Sequence, residues 1–199
     1  MILTTENIVK SFGKKKVLKG VSFAMDAGQF NAVVGENGSG KSTLLKIIVG
    51  QWRADSGTIT IGGKMGYCPQ KPLIFHQLSI DENFQYFSSA YKLSKEDADS
   101  QSALLLDHFN FRKYRKERVE TLSEGTQQKL NLSLSLLHKP QLLILDEPYS
   151  GFDWETYLRF WDLTRTLLRE GCAILIVSHF ISEKDHFNRI YNLKDGVLE

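Results

Sequence analysis

Eight consecutive residues carry the first chemistry: Gly35-Glu36-Asn37-Gly38-Ser39-Gly40-Lys41-Ser42, with Thr43 behind them. Glycines at this spacing let the backbone curl until its N–H groups point inward, a cradle for phosphate oxygens. Leu44, Leu45, Lys46, Ile47 and Ile48 then predict a helix over 42–49, whose positive end faces the same anion. Lys41 adds a point charge for the outer phosphates, and Ser42 offers a hydroxyl to Mg²⁺. A glycine-rich turn matched by chance is the plainer reading. The apolar run at 30–34 before the loop and the helix after it supply the context a P-loop needs.

The second constellation is Leu142-Leu143-Ile144-Leu145-Asp146-Glu147-Pro148. Four apolar residues predict a buried strand with two carboxylates at its C-terminal tip, where open α/β sheets bind ligands. Asp146 suits the shell of Mg²⁺. Glu147, one step on, is placed to polarise a water for attack on a terminal phosphate. Two solvated acids at a strand end would be the ordinary interpretation without a P-loop in the same chain.

These groups need elements to hold them. Val17, Val21, Phe23 and Met25 fall at alternating positions, as do Ile59 and Ile61, so the first third reads as strands. The stretch 58–64 reads as a hairpin running almost straight into Tyr67. Ser79 and Glu82 make a capping box, and Ile80, Phe84, Phe87 and Tyr91 share one helical face after it. The charged stretch 92–118 loses the strand pattern. A helix with Leu130, Leu134 and Leu137 stops before Pro140. Trp154, Tyr157, Leu158, Trp161 and Leu168 mark an amphipathic helix that ends at Gly171, and 173–177 is another buried strand. Asp195-Gly196 marks a terminal turn. The implied fold class is α/β, a P-loop NTPase core with a mainly parallel sheet covered on both faces. An antiparallel β subdomain and a helical lobe inserted at about 73–130 complete a single domain over 1–199.

Composition narrows the partners. A net charge of +2 is too close to neutral to argue for nucleic acid. The basic cluster from Arg112 to Arg118 is interrupted by Glu117, with Glu120 soon after, and has no aromatic stripe beside it, so it reads as a solvated face and no nucleic acid is expected. Cys68 and Cys172 stand in unrelated contexts and imply neither a disulfide framework nor a metal site. No apolar run approaches the roughly 20 residues that span a bilayer, so any membrane work needs another polypeptide.

Between the two constellations stands Leu122-Ser123-Glu124-Gly125-Thr126-Gln127-Gln128. It resembles the signature of ABC ATPases, usually LSGGQ followed by a polar pair, and the resemblance runs from Phe12 to Glu199. Two positions depart from it: Glu124 stands where the first glycine is usual, and Thr126 where Gln is. The resemblance implies that Ser123 and Gly125 close over an ATP held by a partner subunit. It implies that Gln70 contacts Mg²⁺ and water, that His179 touches the γ-phosphate, that Asp153 lies at the dimer interface and that Phe12 stacks on adenine. Taken singly, these four read as a surface glutamine, a capping histidine, a helix N-cap and a core aromatic.

The family further implies ATP and Mg²⁺ as ligands and hydrolysis of ATP to ADP and phosphate, with Glu147, His179, Gln70 and Lys41 in the chemistry. It implies a second ABC ATPase subunit, identical or different, and a separate transmembrane permease. The expected location is cytoplasmic, peripheral at the inner face of the cell membrane. Pro72-Leu73, the run Leu78 to Asn83 and the aromatic residues from Phe87 to Tyr91 resemble small exporters of the ABC-2 type. The alternative is a soluble, non-transport ABC ATPase or an ATP-sensing regulatory subunit. Translation and repair members of the family usually carry a second core, coiled coils or a zinc insertion, and this sequence has no heptad stretch or cysteine cluster.

Overall fold

The computed structural model describes residues 1–179 and 184–199. In chain order these form β1 (Leu3–Phe12), β2 (Lys15–Met25), β3 (Phe30–Val34), α1 (Lys41–Ile48), β4 (Ser56–Ile61) and β5 (Met65–Cys68). There follow α2 (Ile80–Ala90), α3 (Lys95–His108), α4 (Glu124–Leu136), β6 (Leu142–Asp146), α5 (Trp154–Arg169), β7 (Ala173–Ser178), β8 (Arg189–Lys194) and β9 (Val197–Leu198).

The larger sheet has the order β5-β6-β7-β3-β8-β9, parallel as far as β8, with β9 antiparallel. Both of its faces are covered, so the central strands are buried along almost their whole length and read as continuous apolar runs rather than alternations. Side chains still divide between faces. Ala32, Leu143, Leu145, Ile174 and Ile176 join the core made with α2–α5, while Val33, Leu142, Ile144, Leu175 and Val177 join the core shared with α1 and the small sheet. A parallel sheet carries every strand's C-terminal tip to one edge. The ends of β3, β6 and β7, adjacent in the sheet, therefore meet.

The small sheet places β1 between β2 and β4, antiparallel to both. This corrects the hairpin expected at 58–64. β4 pairs with β1, Leu3 facing Ile61, whereas β5 joins the large sheet beside β6. Gly62 and Gly63 carry the chain from one sheet to the other: the Gly62 N–H donates to the Ile2 carbonyl at 2.9 Å, and the Lys64 N–H to Gln141 Oε1 at 2.6 Å. Two glycines after an alternating strand look like a turn, but long-range partners on both sides decide the path.

Helix starts follow their caps. Ser79 and Glu82 form the expected capping box of α2, and Ser94, Ser123 and Asp153 each accept an N–H of the first turn in α3, α4 and α5. α4 sits directly on β5. A Cβ at Gly66 would lie 2.1 Å from the Ser135 carbonyl oxygen, so only glycine fits there. Among the described residues no helix is long and apolar enough to cross a membrane.

Candidate functional site

The loop from β3 to α1 is shaped by its glycines. Gly40, the residue before α1, has φ 111°, a left-handed value that residues with a Cβ avoid. At Gly35 a Cβ would come within 2.3 Å of the Leu193 carbonyl on β8. The Lys41 side chain folds back over this loop, its Nζ donating to the Gly35 carbonyl at 2.6 Å and the Glu36 carbonyl at 2.9 Å. Burial pulls the Lys41 pKa down, and the charges of Glu147 and Asp146 act against that pull. Ser39 Oγ is buried with no hydrogen-bond partner among the described residues. A cation turned onto its own loop and an orphaned hydroxyl suit an incoming phosphate, which would satisfy both.

Asp146 ends β6, half-buried. Burial pushes its carboxyl pKa up, the neighbouring Glu147 charge adds to this, and His179, Lys41 and Lys46 oppose it. Glu147 has φ 48°, unusual for a residue with a long side chain and a sign of local strain. Its main chain is pinned because its N–H donates to the Val177 carbonyl at 3.0 Å. Its carboxylate is pinned as well: the Ser178 hydroxyl donates to Oε2 at 3.0 Å, and the His179 N–H donates to Oε1 at 2.7 Å. His179 Nε2 lies 3.7 Å from the same Oε1.

Lys41, Ser42, Thr43, His179 and Phe12 line one cavity of about 400 Å³ together with Asn37, Gly38 and Gly40. A second cavity adjoins it, lined by Gly35, Glu36 and Ser39 and again by His179. Toward a Mg²⁺ ion, Ser42 and Asp146 could offer one hydroxyl and one carboxylate. Among the described residues no cluster of three His, Cys, Asp or Glu side chains is placed to hold a metal. Such a donor set fits a cation that takes its remaining oxygens from phosphate and water, the habit of Mg²⁺.

The other expected residues lie elsewhere. Ser123 caps α4, accepting the Thr126 N–H at 3.3 Å, and shares a hydrogen bond with Thr126 Oγ1 at 3.0 Å. Gly125 is packed against the next loop: a Cβ there would meet the Gly151 carbonyl at 2.8 Å. Asp153 caps α5, accepting the Thr156 N–H at 2.7 Å. Its bonds to Thr156 hold its carboxyl below the usual range, with a lesser contribution from Lys129. Ser123, Glu124, Gly125, Lys129, Gly151 and Asp153 line a cavity of about 390 Å³ that shares no lining residue with the P-loop cavity. Gln70 is exposed in a bend after β5. The preceding Pro69 is held by Asn131 of α4, whose Nδ2 donates to the Pro69 carbonyl at 2.8 Å.

Three residues of the P-loop site went unnoticed in the sequence. Trp52 and Val17 line the same cavity as Lys41, and Ser178 holds Glu147. Ser178 was within reach of sequence reasoning, since it sits between the buried strand and His179. Trp52 was not, because nothing in its spacing ties it to Phe12.

Comparison with known proteins agrees with this geometry. The family model described as ABC transporter matches residues 18–150, and the chain belongs to that family. It is 33% identical over 194 residues to the linearmycin resistance ATP-binding protein LnrL of Bacillus subtilis, covering 92% of this chain and 62% of that protein. It is 29% identical over 210 residues to ABC transporter G family member 20 of Dictyostelium discoideum, covering all of this chain but 29% of the larger protein. The chain thus spans less than two thirds of either relative. A solved structure described as the ATP binding subunit of an ABC transporter superposes with a TM-score of 0.95 at 25% identity, over 100% of this chain and 88% of that one.

Proposed function

We propose that the chain binds ATP with Mg²⁺, hydrolyses it to ADP and phosphate, and works as one of a pair of such subunits driving a separate transmembrane permease. The observation that supports this best is the meeting of three adjacent strand tips. β3 leads into the loop of Lys41, β6 ends in Asp146 with Glu147 next, and β7 ends beside His179, which lines the phosphate cavity and whose N–H donates to Glu147. In this reading Lys41 exchanges its two loop carbonyls for β- and γ-phosphate oxygens, and Ser39 Oγ gains a partner. Ser42 and Asp146 would hold Mg²⁺, which when bound would supply positive charge against the phosphates. Glu147, aimed by Ser178 and the His179 N–H, orients the attacking water and accepts its proton. The His179 side chain contacts the γ-phosphate.

The pairing is supported by the separation of the two cavities. Ser123 and Gly125 do not line their own subunit's phosphate cavity, so they serve an ATP held by another subunit, with Asp153 beside them at the interface. An isologous pair sandwiches two ATP molecules. Gln70 and the lobe at about 73–130, within one domain over 1–199, pass closure to the permease. The whole sits at the inner face of the membrane, and the likeness of Pro72-Leu73, Leu78 to Asn83 and Phe87 to Tyr91 to small ABC-2-type exporters supports a role in export. Release of phosphate from ATP, with and without Mg²⁺, tests the enzymatic core. A protein that binds ATP but releases no phosphate in the presence of Mg²⁺, even at high protein concentration, would overturn it.

A further inference from the structure

Two large apolar side chains remain in contact with solvent where the phosphate cavity opens: Phe12 is 45% exposed and Trp52 39% exposed. Their ring centroids are 5.3 Å apart with the planes at 66°. Phe12 ends β1, whereas Trp52 follows α1. The Trp52 N–H donates to the Lys46 carbonyl at 3.0 Å, so its backbone is fixed to the last turn of the helix whose first turn holds Lys41. Lys46 Nζ lies 4.4 Å from the centre of the indole ring, a cation over an aromatic face. One eight-residue helix, about 12 Å long at 1.5 Å per residue, thus carries the phosphate loop at one end and an indole at the other.

The nucleotide reading above assigns Phe12 alone to the base. On that reading, we propose that Trp52 is a second base-binding residue, forming with Phe12 an aromatic corner that contacts the nucleobase of the bound triphosphate. Two exposed rings in one cavity have no role toward phosphate, which the P-loop already satisfies. They match a flat aromatic group attached to that phosphate. Stacking and edge contacts of this kind are worth about 1–3 kcal/mol per base, which converts to roughly fivefold to a hundredfold in affinity. The corner acts through faces and edges rather than through hydrogen bonds, so another aromatic ring at position 52 preserves most of it.

The test is equilibrium binding of ATP·Mg²⁺ and of inorganic tripolyphosphate to wild type, Trp52→Ala and Trp52→Phe by titration calorimetry. Tripolyphosphate carries the phosphates without the base. The expected result is a loss of about tenfold in ATP affinity for Trp52→Ala, near-native ATP affinity for Trp52→Phe, and unchanged tripolyphosphate affinity for both. Native ATP affinity in Trp52→Ala would overturn the inference. Equal losses for ATP and tripolyphosphate would also overturn it, since Trp52 would then be acting on the loop and not on the base. A wild-type protein that binds neither ligand would overturn the nucleotide reading itself, and the inference with it.

Discussion

The hydroxyl of Ser178 donates a hydrogen bond to the carboxylate of Glu147 at 3.0 Å, joining the tips of two neighbouring strands. If Glu147 is the base proposed above, its aim at the water is held by a residue that is not itself a reacting group. Glu147→Gln should lower phosphate release at least a hundredfold, the usual scale of a positioned general base, while ATP binding is kept. With ATP that variant should form dimers visible by light scattering. Ser178→Ala should lower phosphate release by about threefold to tenfold without changing ATP affinity, because only the aim is lost. A wild-type rate in Glu147→Gln would assign the water to another group.

Lys41→Ala should weaken ATP binding by more than tenfold, because the loop loses its one inward-facing cation. Titration calorimetry measures this directly. Near-native affinity would remove the phosphate assignment of the loop.

Asp146 makes a case for stability against function. Its carboxyl pKa is raised in the folded protein, chiefly by burial, so the folded state holds that proton more tightly than the unfolded chain does. The carboxyl therefore costs no stability below its ordinary pKa of about 3.9, and the cost grows from there as pH rises through the raised folded value and then levels off. Asp146→Asn should therefore melt higher than wild type at pH 7, and the gain should vanish below about pH 4. The same variant should lose Mg²⁺-dependent hydrolysis. Thermal melts across pH, without nucleotide, check the sign.

Glu124 lies in the first turn of α4, where the helix N-terminus favours it, but among the described residues it makes no ion pair. The nearby Lys129 is directed to Asp153, at 4.0 Å. If this surface closes over a triphosphate as proposed, an unpaired carboxylate there should resist closure. Glu124→Gly in the Glu147→Gln background should dimerise at lower ATP concentration, with a gain that shrinks as salt rises. Dimer fraction at low and high ionic strength measures this. Weaker closure in the glycine variant would mean that a partner supplies the missing cation.

Gly66→Ala should destabilise the fold by about 1–3 kcal/mol, since its Cβ would strike the Ser135 carbonyl beneath α4. Chemical denaturation reads the change.

Much of this arrangement was legible in the sequence because its strongest signals are local. A glycine loop, a capping serine and a fully apolar strand each announce themselves within ten residues. The small sheet was harder to read. In β1 the alternation is broken by register shifts around Asn7, which sits at φ 51°, so the strand carries no clean period. β4 and β5 looked like two arms of one hairpin because the partners that separate them, β1 and β6, are remote in sequence. Trp52 escaped for the same reason, its neighbour Phe12 being brought to it by the fold. Ser123 and Asp153 are helix caps as their types suggest, and a cap's hydroxyl or carboxylate gives no sign by itself of the interface role proposed for it.

The strand order also governs when the site comes into being. β3, which ends at the phosphate loop, is made early, but its two neighbours in the sheet are β7 and β8, residues 173–178 and 189–194. On the ribosome the loop is exposed first and must wait for those strands, at about 5–20 residues per second, before it has a floor. A nascent chain stalled before residue 173 carries the whole glycine motif without the two strands that flank β3. If the loop binds ATP as proposed, the nucleotide would stabilise the chain that has closed its sheet and give nothing to the one that has not.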